Sequence, residues 1–513
     1  MLCSIHLEAT MARYKDTDID SGQGLFLAVN LKEQLLPGTF EHMLDELIGS
    51  KIDISDFDAN YKNDETGSKA IPPAVLVKLI IYGYSKGIKS SRKIFELCKW
   101  NIIAKALSGG MEPHWTTIAD FISSNSAIFK NIFVEVLTYC AELGLVGGHT
   151  FAIDGVRLPS NASIELSGTK AELERRLNVY RKMAGKHIAK HQRQDEREEL
   201  NKETEKNYQK RQKKLNRQIS KINNFLAVMK QKGGKQREEI KSNVTDNDSA
   251  MIRSSDGFIQ GYIGIAVSDD LNQIIVSAEA VGSSNEGEHF SQLLDETLSN
   301  VKEVGIKPTE GKKLIILADN NYFSENNLKV CQERKIEAII PDGQYKKRLG
   351  GTEKSKYDSD DFKYYEESNY YECPNGKKLK YKRVVVLRGQ EWMRYQASVK
   401  DCRICPFNTR CINAKEDINK TSHGKMILIK KSSEHGNLCR EMREKLNTLE
   451  CQDIYANRIQ IIEPVFANIK YCMGLNRFTL RSKEKVNGQW NLYCIVHNLS
   501  KCLKSYNLNM GYT

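Results

Sequence analysis

Proline is scarce in this chain, at 10 of 513 residues, and its 34 glycines follow no repeat, which excludes collagen-like and proline-rich linker architectures. Long apolar runs are missing too. The longest, Ala74 to Tyr84, holds about eleven residues broken by Lys78, against roughly twenty for a bilayer crossing, so no membrane span is expected. The opening MLCSIHLEATMARYKD lacks the charged and apolar blocks of a secretory signal, and the 13 cysteines are an odd count. A disulfide framework is therefore not expected, and the chain reads as cytoplasmic. Acidic residues are outnumbered 65 to 77, and a net charge of +12 favours a polyanionic partner, nucleic acid first. With 40% hydrophobic and 28% charged residues, there is apolar material for about three folding units.

Residues 1–24 are expected to be flexible, with Met11 as an alternative start. Residues 25–147 read as an all-helical module. Apolar residues recur at three and four in LKEQLLPGTFEHMLDELI, PPAVLVKLIIYGYSKG, SSRKIFELCKW, TTIADFISSN and AIFKNIFVEVLTYCAELGL. Pro72 and Pro73 suit a first helical turn, Ser90 or Ser91 the next cap, and Thr116 or Thr117 the one after. Lys86, Lys89, Arg92 and Lys93 gather at a helix start, which fits a helix-turn-helix-type DNA binder or, equally simply, a bundle with a solvated basic turn.

After Gly147 the period becomes that of strands. THTFAIDGVRL comes first; GFIQGYIGIAVSDD and QIIVSAEAVG follow, joined by a turn at 269 to 272; KKLIILADNNYF and KIEAIIPDG come later, with helices between. This order implies an α+β / α/β domain over 148–510, a mixed sheet with flanking helices in a nuclease-like rather than doubly wound layout. Between the first two strands, 168–241 is almost wholly polar, yet Leu173, Leu177, Tyr180 and Ala184, then Leu215, Ile219, Ile222, Leu226 and Met229, step by three and four. An antiparallel helical hairpin explains both runs; it is a solvated arm, a DNA-gripping arm or a dimerising one.

A β-rich segment at 345–430 carries Cys402, Cys405 and Cys411, with Cys373 upstream in a Pro-Asn-Gly turn. Four thiols in two turns suit a structural Zn²⁺, the alternative being plain reduced cysteines.

Two aspartates stand where strands rarely spend one: Asp154 within an apolar run, and Asp319 at the end of another. In DIYANRIQIIEPVFANIKYCMG, Glu463 shares a helical face with Phe466 and is flanked by Arg458 and Lys470. Two aspartates and a glutamate can hold two Mg²⁺ ions about 4 Å apart for phosphodiester chemistry. His289 in NEGEHF reads as a packed or surface histidine before a ligand, and Asp246 and Asp248 as turn residues. Phe466, Trp490, Leu492 and Ile495 read as core.

The motifs AIDG, ILADNNYFS and YANRIQIIEPVFANIKYCMGLNRFTLRSKEKVNGQWNLYCIVHNLSK, with TDNDSAMIRSSDGFIQGYIGIAV and CRICPFNTRC between and LLPGTFEHMLDEL before them, occur in an order that resembles the DDE transposases of bacterial insertion sequences. The likeness is to the insertion sequence eleven-eighty-two group, related to the insertion sequence four families, and covers nearly the whole chain. It implies an RNase H-like fold and a transposase that binds the inverted ends of its element, cleaves there and joins the freed ends to target DNA. Asp154, Asp319 and Glu463 are then the catalytic ligands of two Mg²⁺ (or Mn²⁺) ions, and Tyr455, Arg458 and Lys470 contact transposon-end phosphates. Four residues separate Arg458 from Glu463, where the wider family usually has three. A homodimer or higher multimer on DNA and a nucleoid location follow from the same resemblance. A DNA-binding regulator without activity and a nuclease without strand transfer are the rival functions.

Overall fold

Leu35 closes a short 3-10 turn (Lys32–Gln34), and a separate turn at Pro37 and Gly38, the latter at φ +84°, leads to Thr39, which caps α1 (Phe40–Leu47) by accepting the His42 amide. The single helix expected over 31–48 is thus two elements. Pro73 opens α2 (Pro73–Ser85) as expected, and α3 (Ser91–Trp100) follows. Next comes α4 (Ile102–Ser108), two turns long and too short to announce itself by periodicity, then α5 (Trp115–Ser124) and α6 (Ile128–Glu142). The cap of α5 is the His114 ring nitrogen, which accepts the Thr116 amide; Thr116 and Thr117 lie inside the helix. The computed structural model describes residues 30–60, 70–195, 202–229, 232–233, 239–254, 257–306, 313–350, 357, 361–387, 390–411, 423–430 and 437–511. The start expected to be flexible, 1–24, lies outside them.

β1 (Thr150–Pro159) enters a six-stranded mixed sheet. Two long helices interrupt it, α7 (Lys170–Asp195) and α8 (Lys202–Val228), whose cross-pairs Arg181–Asn223, His187–Gln212 and His191–Glu205 run in opposite senses. Leu173, Leu177 and Ile222 form their buried seam with Leu166. The sheet resumes with β2 (Ala250–Ser254), β3 (Gly257–Asp269), β4 (Ile275–Val281), β5 (Ile315–Ala318) and β6 (Glu337–Ile339). β3 lies antiparallel to β1, β2 and β4, while β5 runs parallel to β1 and β6 parallel to β5. The short β2 is an addition to the expected order, so Asp319 follows the fifth main-sheet strand and not the fourth. α9 (Phe290–Glu303) and α10 (Glu325–Glu333) cross between the later strands, Ser324 capping α10.

A separate antiparallel sheet holds β7 (Lys363–Tyr365), β8 (Tyr370–Glu372), β9 (Lys378–Leu387), β10 (Gln390–Gln396) and β11 (Met426–Lys430), with a core of its own around Leu379 and Tyr395. The chain ends in α11 (Asn437–Lys445), α12 (Leu449–Ala467) and α13 (Lys483–Met510). From Trp490 to Leu499 α13 is buried on every side, a pattern that only a helix enclosed by other elements shows. Trp490 donates its indole N–H to the Ile265 carbonyl of β3. Asn487 accepts the Ala280 amide, and Asn498 bonds both the amide and the carbonyl of Ile275. These amides occupy the backbone groups on the free edge of β4, where pairing with another chain would otherwise begin. One continuous core runs from α1 through the sheet to Tyr506.

Candidate active site

The register between β1 and β5 pairs Ile153 with Ala318. The next residue along each is an aspartate, so Asp154 and Asp319 emerge side by side where two parallel strands end. α12 lies over this point, burying Ile461, Ile462, Val465 and Phe466 against the sheet while Glu463 stays exposed. Asp154, Asp319, Glu463 and Lys470 line one open cleft of about 490 Å³ with Gly155, Arg157, Ser254, Glu286 and Asn321. The three carboxylates expected from sequence are thus brought to one place.

Pro464 has no amide to offer the Gln460 carbonyl one turn back. The Gln273 side chain supplies that bond at 2.8 Å from the β3–β4 turn, where Gln273 sits at φ +61°. Directly after α12 the chain widens into a π-turn, Asn468–Cys472, which carries Lys470 to the cleft.

The carboxylates are held differently. Asp154 accepts the Gly155 amide at 2.8 Å and the Arg458 guanidinium at 3.0 Å. Burial pushes its proton affinity up to about 6; Arg458 opposes, and the charges of Asp319 and Glu463 add. Asp319 accepts the backbone and side-chain amides of Asn321, yet burial still raises it. Arg458, which the sequence offered as a phosphate contact, is 9% exposed and bonded to Asp154; its hydrogen bond to Tyr455 holds that ring, which packs edge-on to Tyr345. The expectation that both cations flank Glu463 holds in space for Lys470, whereas Arg458 turns to the aspartate.

Glu286 is the residue that sequence reasoning missed. It lies in the turn before α9, 3% exposed, and its Oε1 accepts the Asn321 side-chain amide at 2.7 Å and faces Arg157 at 3.6 Å. Burial first, then Asp319 and Asp154, push its proton affinity up to about 7. The available signal was the NEGEHF segment, in which only His289 attracted attention. His289 is half-buried at the start of α9, and burial lowers its basicity.

The basic cluster is partly engaged. Lys86 pairs with Glu41 at 2.7 Å, and Lys89 donates to the Gly474 carbonyl and the Asn476 side chain just past the π-turn. Arg92 lies over the Trp115 ring at 4.6 Å, and Lys93 is exposed. Asp246 is a buried acceptor for the Tyr262 hydroxyl and the Ser482 amide, and Asp248 accepts the Lys483 amide, so both tie the sheet to the start of α13.

Cys373, Cys402, Cys405 and Cys411 converge on one small cavity of about 20 Å³, with Phe362, Leu379 and Ala397. The Lys377 and Lys425 amides donate to the sulfurs of Cys373 and Cys402. Burial pushes the Cys411 thiol up to about 11, and the other three cysteines add to the rise. As the side chains stand, no three His, Cys, Asp or Glu among the described residues are placed to hold a metal ion. The donor sets nonetheless suit two different metals by chemistry: hard carboxylate oxygens lining the cleft, soft sulfurs lining the small cavity in the second sheet.

Two family models match the chain. One, described as a transposase DDE domain, covers residues 372–503 and includes Glu463 and the cysteines 402 to 411; the other, described as Transposase domain (DUF772), covers residues 29–124, α1 to α5. The chain is similar to DDE transposases. No curated protein matches it. The DDE match contains neither Asp154 nor Asp319; the cleft they share is what ties those two to Glu463.

Proposed function

We propose that this chain is the transposase of a bacterial insertion sequence, built on an RNase H-like domain, which binds the inverted ends of its element and carries out metal-dependent strand cleavage and strand transfer. The observation that supports this best is the convergence of Asp154, Asp319 and Glu463 on one cleft from two adjacent parallel strands and an overlying helix. Asp154, Asp319 and Glu463 would hold two Mg²⁺ or Mn²⁺ ions, which when bound supply activation of water or a 3′-hydroxyl and neutralise the leaving oxygen.

The chain's own residues do the rest. Arg458 orients Asp154 and offsets its charge before a cation arrives. Lys470, reaching the cleft from the π-turn, and Arg157 on its opposite side present positive charge to a DNA backbone. The α2–α3 turn, fastened by Lys89 to the segment after Glu463, sets Arg92 and Lys93 beside the same region as a second DNA contact. Paired ends call for at least a dimer in the nucleoid. No helix among the described residues is long and apolar enough to cross a membrane. The cysteine cavity we assign to a structural Zn²⁺ that fixes the second sheet.

The test uses an end-bearing duplex in Mg²⁺. Asp154→Ala, Asp319→Ala and Glu463→Gln are each expected to abolish cleavage and keep binding; intact cleavage in any of them overturns the reading. Joining of a labelled end to plasmid DNA separates a transposase from a nuclease.

A further inference from the structure

Glu286 presents an anomaly that an ordinary ion pair does not resolve. Both of its polar partners, Asn321 and Arg157, meet Oε1, while Oε2 is buried without any hydrogen-bond partner. A buried carboxylate oxygen without a partner is costly. Oε2 also has a direction. A Cβ placed on Gly155 would collide with it, so the orphaned oxygen occupies the space that glycine leaves in the cleft that Asp154 and Asp319 also line.

The surrounding chain fixes this pose. Asn285 accepts the Gly287 amide, Asn327 donates to the Gly287 carbonyl, and a Cβ on Gly287 would stand 2.5 Å from the Asn321 carbonyl. The turn is therefore pressed against the segment that follows Asp319. The adjacent Tyr322 hydroxyl is likewise buried without a partner. Asp154, Glu286 and Asp319 line one cleft, where three carboxylates repel one another unless a cation lies among them.

We infer that Glu286 is a fourth carboxylate ligand, its Oε2 completing a divalent-cation site with Asp154 and Asp319. This rests on the metal-dependent reading above. It assigns a ligand to the turn before α9, outside the three-residue set.

Titration calorimetry of the full-length protein with Mn²⁺, paired with melting in chelator-treated buffer, tests it. Glu286→Gln keeps the shape and the Oε1 contact, and is expected to weaken Mn²⁺ binding at least about tenfold, in the range that shell substitutions cost. In cation-free buffer the same variant is expected to melt no lower than the wild type, because a repelling charge is gone; a purely structural Glu286 would lower it. Should Glu286→Gln fail to fold, Glu286→Asp, which withdraws the oxygen by one methylene, is expected to weaken Mn²⁺ binding in the same sense. Wild-type binding of Mn²⁺ that Asp154→Ala removes and Glu286→Gln and Glu286→Asp leave unchanged overturns this inference alone. No Mn²⁺ binding by the wild type overturns the metal-dependent reading itself.

Discussion

Arg458, in the middle of α12, donates to Oδ2 of Asp154 in β1 at 3.0 Å, across 304 positions of sequence. The bond anchors the helix that carries Glu463 to the strand that carries the first aspartate. Arg458→Ala leaves a buried carboxylate without its cation and is expected to cut cleavage by roughly 10- to 100-fold, as losing an orienting partner does. Arg458→Lys, with the charge but not the planar fork, is expected to fall between. The discriminating measurement is end-DNA binding against salt: a positioning role leaves the slope unchanged, whereas a phosphate contact lowers it by about one.

Cleavage should depend on the Asp154 proton. Its carboxyl is neutral below about 6 and that of Glu286 below about 7, so activity at low Mg²⁺ is expected to begin falling as pH drops past 7 and to fall more steeply below 6. A cation competes with the proton, so raising Mg²⁺ is expected to move the midpoint to lower pH. A midpoint indifferent to Mg²⁺ contradicts direct ligation by Asp154.

Stability should respond to acid through His497. Its Nε2–H donates to the Gln273 carbonyl and its bare Nδ1 faces the Asn468 amide, an arrangement that only the neutral ring satisfies. Burial lowers its basicity from 6.5 to about 4. The unfolded chain takes up that proton first, so this contribution is complete above 6.5 and is lost as pH falls towards about 4. His497→Gln is expected to melt lower at pH 7 and to show a flatter decline between pH 6.5 and 4 than the wild type.

The cysteine cavity predicts one zinc per chain by elemental analysis. Cys402→Ser or prolonged chelation should release it and destabilise the second sheet, seen as proteolytic cleavage within 361–430. Protein purified with zinc present that carries none would leave four reduced thiols.

The residues that meet in the candidate cleft were legible because they break local rules. Asp154 interrupts an apolar strand, Asp319 ends one, and Glu463 stands beside a helix-breaking proline. What escaped depends on partners distant in sequence. Nothing local marks Arg458 as a mate for Asp154, and Glu286 sits among turn formers that disguise it as a cap. β2 was invisible because Arg253 and Ser254 dilute five residues already too few for a pattern, and α4 for the same reason of length. The hairpin seam was readable, since Leu173, Leu177 and Ile222 are apolar against a charged background. The mixed sheet followed from the order of strands and helices, but its parallel register, which sets the aspartates together, did not.

Enclosure of α13 between α6, α2 and β4 has a practical consequence for anyone dissecting the molecule. The helix Lys483–Met510 is the keel on which α2, α6 and the main sheet all rest. A fragment that stops before α13 would bare the seat of that keel, so the helical module and α13 have to be expressed together.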